Sequence, residues 1–399
     1  METDKIESAF DILIIGAGMY VCGRGTKDFG TILPALFEWQ RKNSSIRRIN
    51  VCATNPDSAI ECNNRVKQLS EKMDVRIDVD VYPRSGPKDQ NSYKKVIEKF
   101  PALSCAIVVV PDHLHKDIVA DCLNAGIPTL VVKPLTTSVK DAKELIEIQS
   151  KKNVYGAVEF HKRFDRANLK LMEVLLTQQV GDPLYFIVEY SQRKSIPSKV
   201  FSGWVDNTNI FQYLGVHYVD IIHFVTKAVP SRVMAIGQYG WLKDRGINTY
   251  DAVHATIEWE MPNKRTFVSF IFTNWVDPES TSAMSDQKIK VIGTKGRAES
   301  DQKKRGITII TDDNGIEEPN PDFCSTYISN RGNRLYKGYG IKSIHTFLKD
   351  ICKLNSGLET IDSLECKRST FKESIISTAV IESANRSLEL NGEWVDIEF

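Results

Sequence analysis

The chain has 399 residues, 42% hydrophobic and 26% charged, which excludes a disordered or collagen-like polymer and suits two domains of ordinary size. Its 52 Lys and Arg against 51 Asp and Glu give a formal net charge of +1, so neither nucleic acid nor an anionic membrane finds a general attraction, and neither is expected as a partner. No apolar run approaches the roughly 20 residues of a membrane-spanning helix, and the acidic, polar start Met1–Ser8 does not read as a signal peptide, so a cytoplasmic protein is expected.

In chain order, the first 160 residues alternate strand and helix. Asp11–Ile15 is a short apolar run ending at Gly16, which suits a strand buried on both faces. A helix follows over 31–43, a strand over Ile49–Ala53, a helix over 57–73, a strand over Val75–Val81 and a short helix over 91–99. Cys105–Val110 reads as another buried strand, and 114–125 as a helix stopped by Gly126 and Pro128. Thr129–Val132, 137–152 and Val154–Phe160 complete the alternation as strand, helix and strand. Such repetition predicts a doubly wound parallel Rossmann sheet with right-handed crossovers over residues 1–160.

Beyond about residue 163 the rhythm changes. Helices at 166–178 and 216–226 accompany strands at 184–190, 230–239, 250–260, 265–273, 287–293 and 306–311, with turns such as Met261–Asn263 between them. Strands in succession predict an open, mainly antiparallel sheet in an α+β domain over 161–399. Residues 312–336 read as a long surface excursion. Helices at 340–354 and 369–388 follow, and a late helix of this kind can pack back on the first domain. One open sheet face needs covering, which predicts a homodimer or homotetramer. The eight cysteines form no C-x-x-C pair and read as small buried thiols. His113 and His115 have no ligand set around them, so no metal is expected.

Gly16-Ala-Gly18 stands where the first strand meets the next helix, the place where a backbone approaches a pyrophosphate closely. The third glycine of the usual pattern is replaced by Val21, and Gly23 and Gly25 come later, so the turn is lengthened. Met19 and Tyr20 join Gly16 and Gly18 as candidate cofactor-binding residues. Just past the second strand, in the run Cys52-Ala-Thr-Asn-Pro56, Asn55 occupies the place where an NAD-specific domain usually carries an acid. A neutral amide does not repel a 2′-phosphate, so NADP is permitted beside NAD, with the balance toward NADP. Arg47, Arg48 and Arg65 are phosphate candidates or plain surface charges. Pro111 through His115 and Val131-Val-Lys133-Pro134-Leu135 follow the fourth and fifth strands, whose carboxyl ends line the ligand crevice of such sheets.

With Tyr213-Leu-Gly-Val-His217-Tyr-Val-Asp220 added, the sequence resembles the glucose–fructose oxidoreductase/inositol dehydrogenase family (Gfo/Idh/MocA) over nearly its whole length. The Gly-x-Gly turn, the Pro-x-x-x-His segment, Val132-Lys133-Pro134, Gly215-x-His-x-x-Asp220 and Gly293-Thr-Lys-Gly296 occur in the family's order. The resemblance implies an NAD(P)-dependent oxidoreductase that moves hydride between nicotinamide and a CH–OH group of a sugar, sugar derivative or cyclitol. It implies Lys133 as the residue touching nicotinamide ribose and substrate, and His217 as general acid/base. A histidine of ordinary pKa suits removal of a hydroxyl proton, and an ammonium suits a developing alkoxide. It also implies Pro111 and His115 as cofactor-side residues. The plainer alternatives are a surface lysine at a strand end and a histidine satisfied by backbone.

Two positions depart from the family pattern. Its Glu before the lysine is Val132, and its Asp four residues before the histidine is Tyr213, which either donates to a substrate hydroxyl or packs as core. Asp220 is expected to steady the helix rather than enter the chemistry. Lys162 and Arg163 either receive an anionic group or form ion pairs with Asp165 or Glu159. The loop Gln192-Arg-Lys194 could reach the pocket, and Trp204 is a sugar-stacking candidate or core. Two other functions fit the same pattern: a catalytically silent nucleotide-binding regulator, and an NAD-assisted glycoside-cleaving enzyme.

Overall fold

Phe10–Ile15 (β1) is apolar apart from Asp11 and buried along its whole length, as a strand enclosed between two helix layers must be. The computed structural model describes residues 9–399; Met1–Ser8, read above as no signal peptide, lies outside the described residues. After β1 come α1 (Met19–Cys22), α2 (Ile32–Asn43), β2 (Ile46–Cys52), α3 (Pro56–Met73), β3 (Asp78–Tyr82), α4 (Ser92–Ile97) and β4 (Ser104–Val108). α5 (His115–Asn124), β5 (Thr129–Val132), α6 (Val139–Lys152) and β6 (Gly156–Glu159) follow. The six strands form one parallel sheet in the order β3-β2-β1-β4-β5-β6. The order reverses between β1 and β4, and the carboxyl ends at that switch point form the ligand end of the sheet. α3 starts cleanly because Asn55 accepts the Asp57 amide at 3.0 Å and Pro56 occupies the first helical position.

α7 (Arg166–Leu176), β7 (Pro183–Arg193), α8 (Val216–Thr226), β8 (Val229–Gln238), β9 (Ala252–Glu260), β10 (Thr266–Asp277), β11 (Ser285–Gly293) and β12 (Arg297–Asp301) build the second unit. Next in the chain are the hairpins β13 (Ile309–Thr311)/β14 (Gly315–Glu317) and β15 (Ser325–Ile328)/β16 (Arg334–Lys337). α9 (Tyr339–Asn355), α10 (Ile361–Glu365), α11 (Phe371–Glu389) and β17 (Val395–Asp396) close it. The large sheet runs β12-β11-β7-β10-β9-β8-β17; β7 and β10 are parallel and the other pairs antiparallel. Phe186, Val188, Ile257, Trp259, Ile271 and Trp275 bury one face of it.

The chain divides differently from a linear split at residue 160. The first unit holds residues up to Leu135, Lys140–His161 and Phe323–Glu373; the second holds Thr136–Val139, Lys162–Asp322 and Ser374–Phe399. The return of 323–373 has specific causes. Glu38, buried in α2, accepts the Tyr336 amide at 2.8 Å, and the His345 ring on α9 meets the Ala35 carbonyl at 2.7 Å. Arg368 clamps Asp350 of α9 at 2.6 and 2.8 Å, and the neighbouring Ser369 carbonyl accepts the amide of Val158 in β6 at 2.8 Å. The excursion expected over 312–336 does run along the surface, and of its residues Tyr336 alone is buried. Cys22, Cys52, Cys62, Cys105 and Cys122 are buried thiols, Cys324 and Cys352 are half-buried, and Cys366 is exposed. Among the described residues no helix is long and apolar enough to cross a membrane.

Candidate active site

The two glycines after β1 have different reasons to be glycine. Gly16 sits at φ +120°, its amide donates to the Cys52 carbonyl at 2.8 Å, and a Cβ there would lie 1.9 Å from the Val109 carbonyl oxygen. Close approach of β1 to the loop after β4 therefore demands it. Gly18 caps α1 with an ordinary backbone, and a Cβ there would meet no atom within 4 Å. The open side of the turn is at Gly18. Met19 and Tyr20 open α1, whose single turn ends at Gly23 in the left-handed conformation. The chain then doubles back, and Thr31 donates its amide to the Tyr20 carbonyl at 2.8 Å. Arg65 of α3 fastens this loop by donating to the Thr26 and Asp28 carbonyls at 2.9 and 3.2 Å.

Asn55 follows β2 at the expected place, but its carbonyl oxygen is engaged in capping α3. Arg47 and Arg48 lie at the amino end of β2, opposite the ligand end, and pair with Asp11 at 2.6 Å and Asp80 at 3.4 Å. Arg65 stands beside the glycine loop, with its guanidinium engaged by the loop carbonyls.

At the end of β5, Lys133 keeps partial surface exposure, yet the surrounding protein desolvates its ammonium and pushes its pKa down to about 7. The Asp112 and Glu159 carboxylates act in the opposite direction. Pro111 begins the short helical turn after β4. His115 is fully buried, with Nδ1 at 2.7 Å from the Pro134 carbonyl and Nε2 at 3.0 Å from that of Val110. It ties the loop after β4 to the residue following Lys133, and it has no exposed surface to offer a ligand. Burial pushes its imidazole below the ordinary histidine range. Glu159 ends β6; its Oε2 lies 2.9 Å from His161 Nδ1, and its Oε1 has no hydrogen-bond partner. The His161 ring stacks on Tyr339 at 5.8 Å, and its Nδ1 is 3.3 Å from the Tyr20 hydroxyl. Burial, and next the Glu159 carboxylate, push the Tyr20 phenol up.

In the second unit, the π-helical turn Phe211–Gly215 runs straight into α8, which carries His217, Tyr218 and Asp220, all buried. Gly215 is fixed by packing, because a Cβ there would lie 2.4 Å from the Phe211 ring. The His217 ring lies 6.4 Å from that of Tyr190. Lys162 is 1% exposed; its ammonium donates to Gln302 Oε1 at 2.8 Å and to Gln287, and it lies over the Tyr190 and Tyr218 rings at 5.1 and 5.3 Å. Arg163 makes a two-pronged pair with Asp220, Nε–Oδ2 2.9 Å and Nη2–Oδ1 2.6 Å. Removing one member of such a buried pair costs about 3–5 kcal/mol. Asp165, expected as a partner for these cations, instead holds Arg305 at 2.8 Å and Gln302 at 2.7 Å. Tyr213, half-buried, packs with Phe201 at 4.9 Å, Trp275 at 5.8 Å and Trp204 at 6.1 Å, and the Trp204 ring lies 4.6 Å from Phe201. Gln192 accepts the Trp275 indole N–H at 3.0 Å, which places it in the wall behind these rings. Glu159 and His161 belong to the segment after β6 whose Lys162 and Arg163 the sequence brings forward, with Glu159 expected only as an ion-pair partner; Gln287 and Gln302 carry no motif.

Two family models match this chain: the oxidoreductase family with NAD-binding Rossmann fold (Gfo/Idh/MocA) over residues 10–160, and the Gfo/Idh/MocA C-terminal domain over residues 168–299. Myo-inositol 2-dehydrogenase of Thermotoga maritima is 24% identical over 293 residues, 72% of this chain and 78% of that protein. Trans-1,2-dihydrobenzene-1,2-diol dehydrogenase of Mus musculus is 22% identical over 312 residues, 78% of this chain and 81% of that protein. The crystal structure of scyllo-inositol dehydrogenase from Lactobacillus casei with bound cofactor NAD(H) and scyllo-inositol has a TM-score of 0.67 at 14% identity, covering 98% of this chain and 99% of that one. At such identity the structural likeness speaks for the fold.

Proposed function

Because the chain belongs to the Gfo/Idh/MocA family of NAD(P)-dependent oxidoreductases acting on CH–OH groups, we propose that it transfers hydride between nicotinamide and a secondary alcohol or ketone of a sugar, sugar derivative or cyclitol. The observation that carries this reading is Lys133, a lysine brought to about pKa 7 at the carboxyl end of β5, beside two carboxylates. An amine poised near neutrality is matched to proton and charge handling in a way that a solvated surface lysine is not.

The ligand end of the first unit fits a dinucleotide: Gly18 leaves open space at the turn after β1, and the loop after β2 reaches Asn55 without an acid. Gly16, Gly18, Met19 and Tyr20 hold the pyrophosphate turn, Asn55 faces the adenosine ribose, and Pro111 shapes the wall after β4. His115 positions rather than binds, by fixing the carbonyls of Val110 and Pro134 around Lys133. The nicotinamide ring, when bound, supplies the hydride acceptor or donor. Lys133 donates a hydrogen bond to the reacting oxygen and stabilises its negative charge. His217 takes the hydroxyl proton in oxidation and returns it in reduction. Arg163 and Asp220 fix α8 and so the orientation of His217, and Lys162 holds the Tyr190 and Tyr218 rings packed near it. Trp204 and Tyr213 present ring faces to the apolar face of a sugar-like substrate.

Mixing the protein with NAD or NADP and a panel of sugars, sugar nucleotides and cyclitols, while following absorbance of reduced nicotinamide, tests this reading; no turnover with any of them would count against it. A second copy of the chain fits as partner for the sheet face carrying Tyr185, Ile187, Met234, Ile236, Phe270 and Phe272, apolar residues left half-buried or exposed. Light scattering should then report a homodimer or homotetramer. Eight free thiols support a reducing compartment, in keeping with the cytoplasm.

A further inference from the structure

Arg24 lies between Gly23 and Gly25, both in the left-handed conformation at φ 73° and 77°, on the turn that follows α1. From there its side chain reaches the first turns of α3: Nη1 donates to Ser58 Oγ at 2.5 Å, and Nε lies 3.3 Å from Glu61 Oε2. Ser58 stands three residues after Asn55, at the end of β2, where this kind of sheet receives the adenosine ribose of a dinucleotide. The Arg24 side chain is 45% exposed, and neither contact uses Nη2. Because Asn55 spends its carbonyl oxygen on the Asp57 amide, its NH₂ remains the group that can donate outward. The loop bearing Arg24 is built rather than loose, since Arg65 donates to its Thr26 and Asp28 carbonyls and Gly30 closes against the Met19 and Tyr20 carbonyls.

We propose that Arg24, together with Ser58 and the Asn55 amide, forms a 2′-phosphate site that makes this chain prefer NADP(H) over NAD(H). The proposal rests on the dinucleotide reading above and deepens it. The start of α3 supplies the Asn55 amide and the buried Ser58 hydroxyl that anchors Arg24, but no cation; the cation comes from the lengthened glycine turn after β1. A guanidinium suits this task because its fork matches phosphate oxygens and it stays charged at any working pH. Glu61 holds the fork in place and opposes an incoming phosphate, so it moderates the preference.

The test is titration of the full chain with NADPH and NADH separately, following reduced-nicotinamide fluorescence, for the parent, Arg24→Ala and Glu61→Gln, with thermal melts to check folding. The parent should bind NADPH at least tenfold more tightly than NADH. Arg24→Ala should lose tenfold or more in NADPH affinity while NADH changes less than threefold, and Glu61→Gln should tighten NADPH selectively. An equal loss for both cofactors in Arg24→Ala would move Arg24 to a part the two share, such as the pyrophosphate, and would overturn the proposal, as would unchanged NADPH binding. Absence of binding by either dinucleotide to the parent would remove the dehydrogenase reading itself, and this proposal with it.

Discussion

Val132 and Glu159 are register partners across β5 and β6, so the last residue of β6 brings a buried carboxylate alongside the strand end that carries Lys133. The family pattern places an acid directly before this lysine, where the chain has valine. Glu159 favours the charged ammonium of Lys133 against the desolvation that lowers it.

Glu159→Gln should therefore lower the Lys133 pKa below its value of about 7. If protonated Lys133 is the active form, activity falls as pH rises through that pKa. The descending limb of kcat/KM against pH should move to lower pH by about one unit or more, and Glu159→Asp should restore part of it. A limb that stays in place would detach Glu159 from Lys133.

Lys133→Met should stabilise the protein while abolishing turnover. The sign follows from linkage. Unfolded lysine titrates near ~10.4 and the folded one near 7, so between these values the unfolded chain holds the extra proton and the parent gains stability as pH rises. Methionine has no such dependence. The gain in melting temperature should be largest below pH 7 and shrink toward pH 10, as thermal melts across that range would show.

Gly16→Ala and Gly18→Val should fail in opposite ways. At Gly16 a methyl group meets the Val109 carbonyl at φ +120°, so stability should fall by at least about 2 kcal/mol. At Gly18 the added side chain enters open space, so the melt should stay near that of the parent while dinucleotide affinity is lost. Calorimetry with a fluorescence titration on both variants separates the two effects.

The parallel sheet was readable because each buried strand is a mainly apolar run bounded by glycine, proline or a polar turn. β12, Arg297-Ala-Glu-Ser-Asp301, carries no strand signal in the sequence because it is polar and half-exposed and shows no alternation. The return of 323–373 to the first unit depends on pairings such as Glu38 with Tyr336, whose only local trace is one acid inside an otherwise apolar stretch of α2. Asn55-Pro-Asp57 carried a legible helix-start signal, and it explains why Asn55 caps α3 before it does anything else. Arg47 and Arg48 stand at the amino end of β2, away from the ligand end, and a strand start at Ile46 rather than Ile49 leaves them there. Lys162 could not be resolved from sequence, since the two glutamines that hold it come from distant strands or their ends.

The central claim is that His217 exchanges the substrate proton while Lys133 stabilises the oxygen. Steady-state turnover of parent and His217→Ala, on whichever polyol or cyclitol reduces nicotinamide, tests it most directly, with cofactor affinity measured on the same samples. The account predicts a fall in kcat of roughly 10²–10⁴ with dinucleotide binding and the thermal melt retained. A His217→Ala protein that turns over at close to the parent rate would contradict it and direct attention to Tyr213, one helical turn earlier.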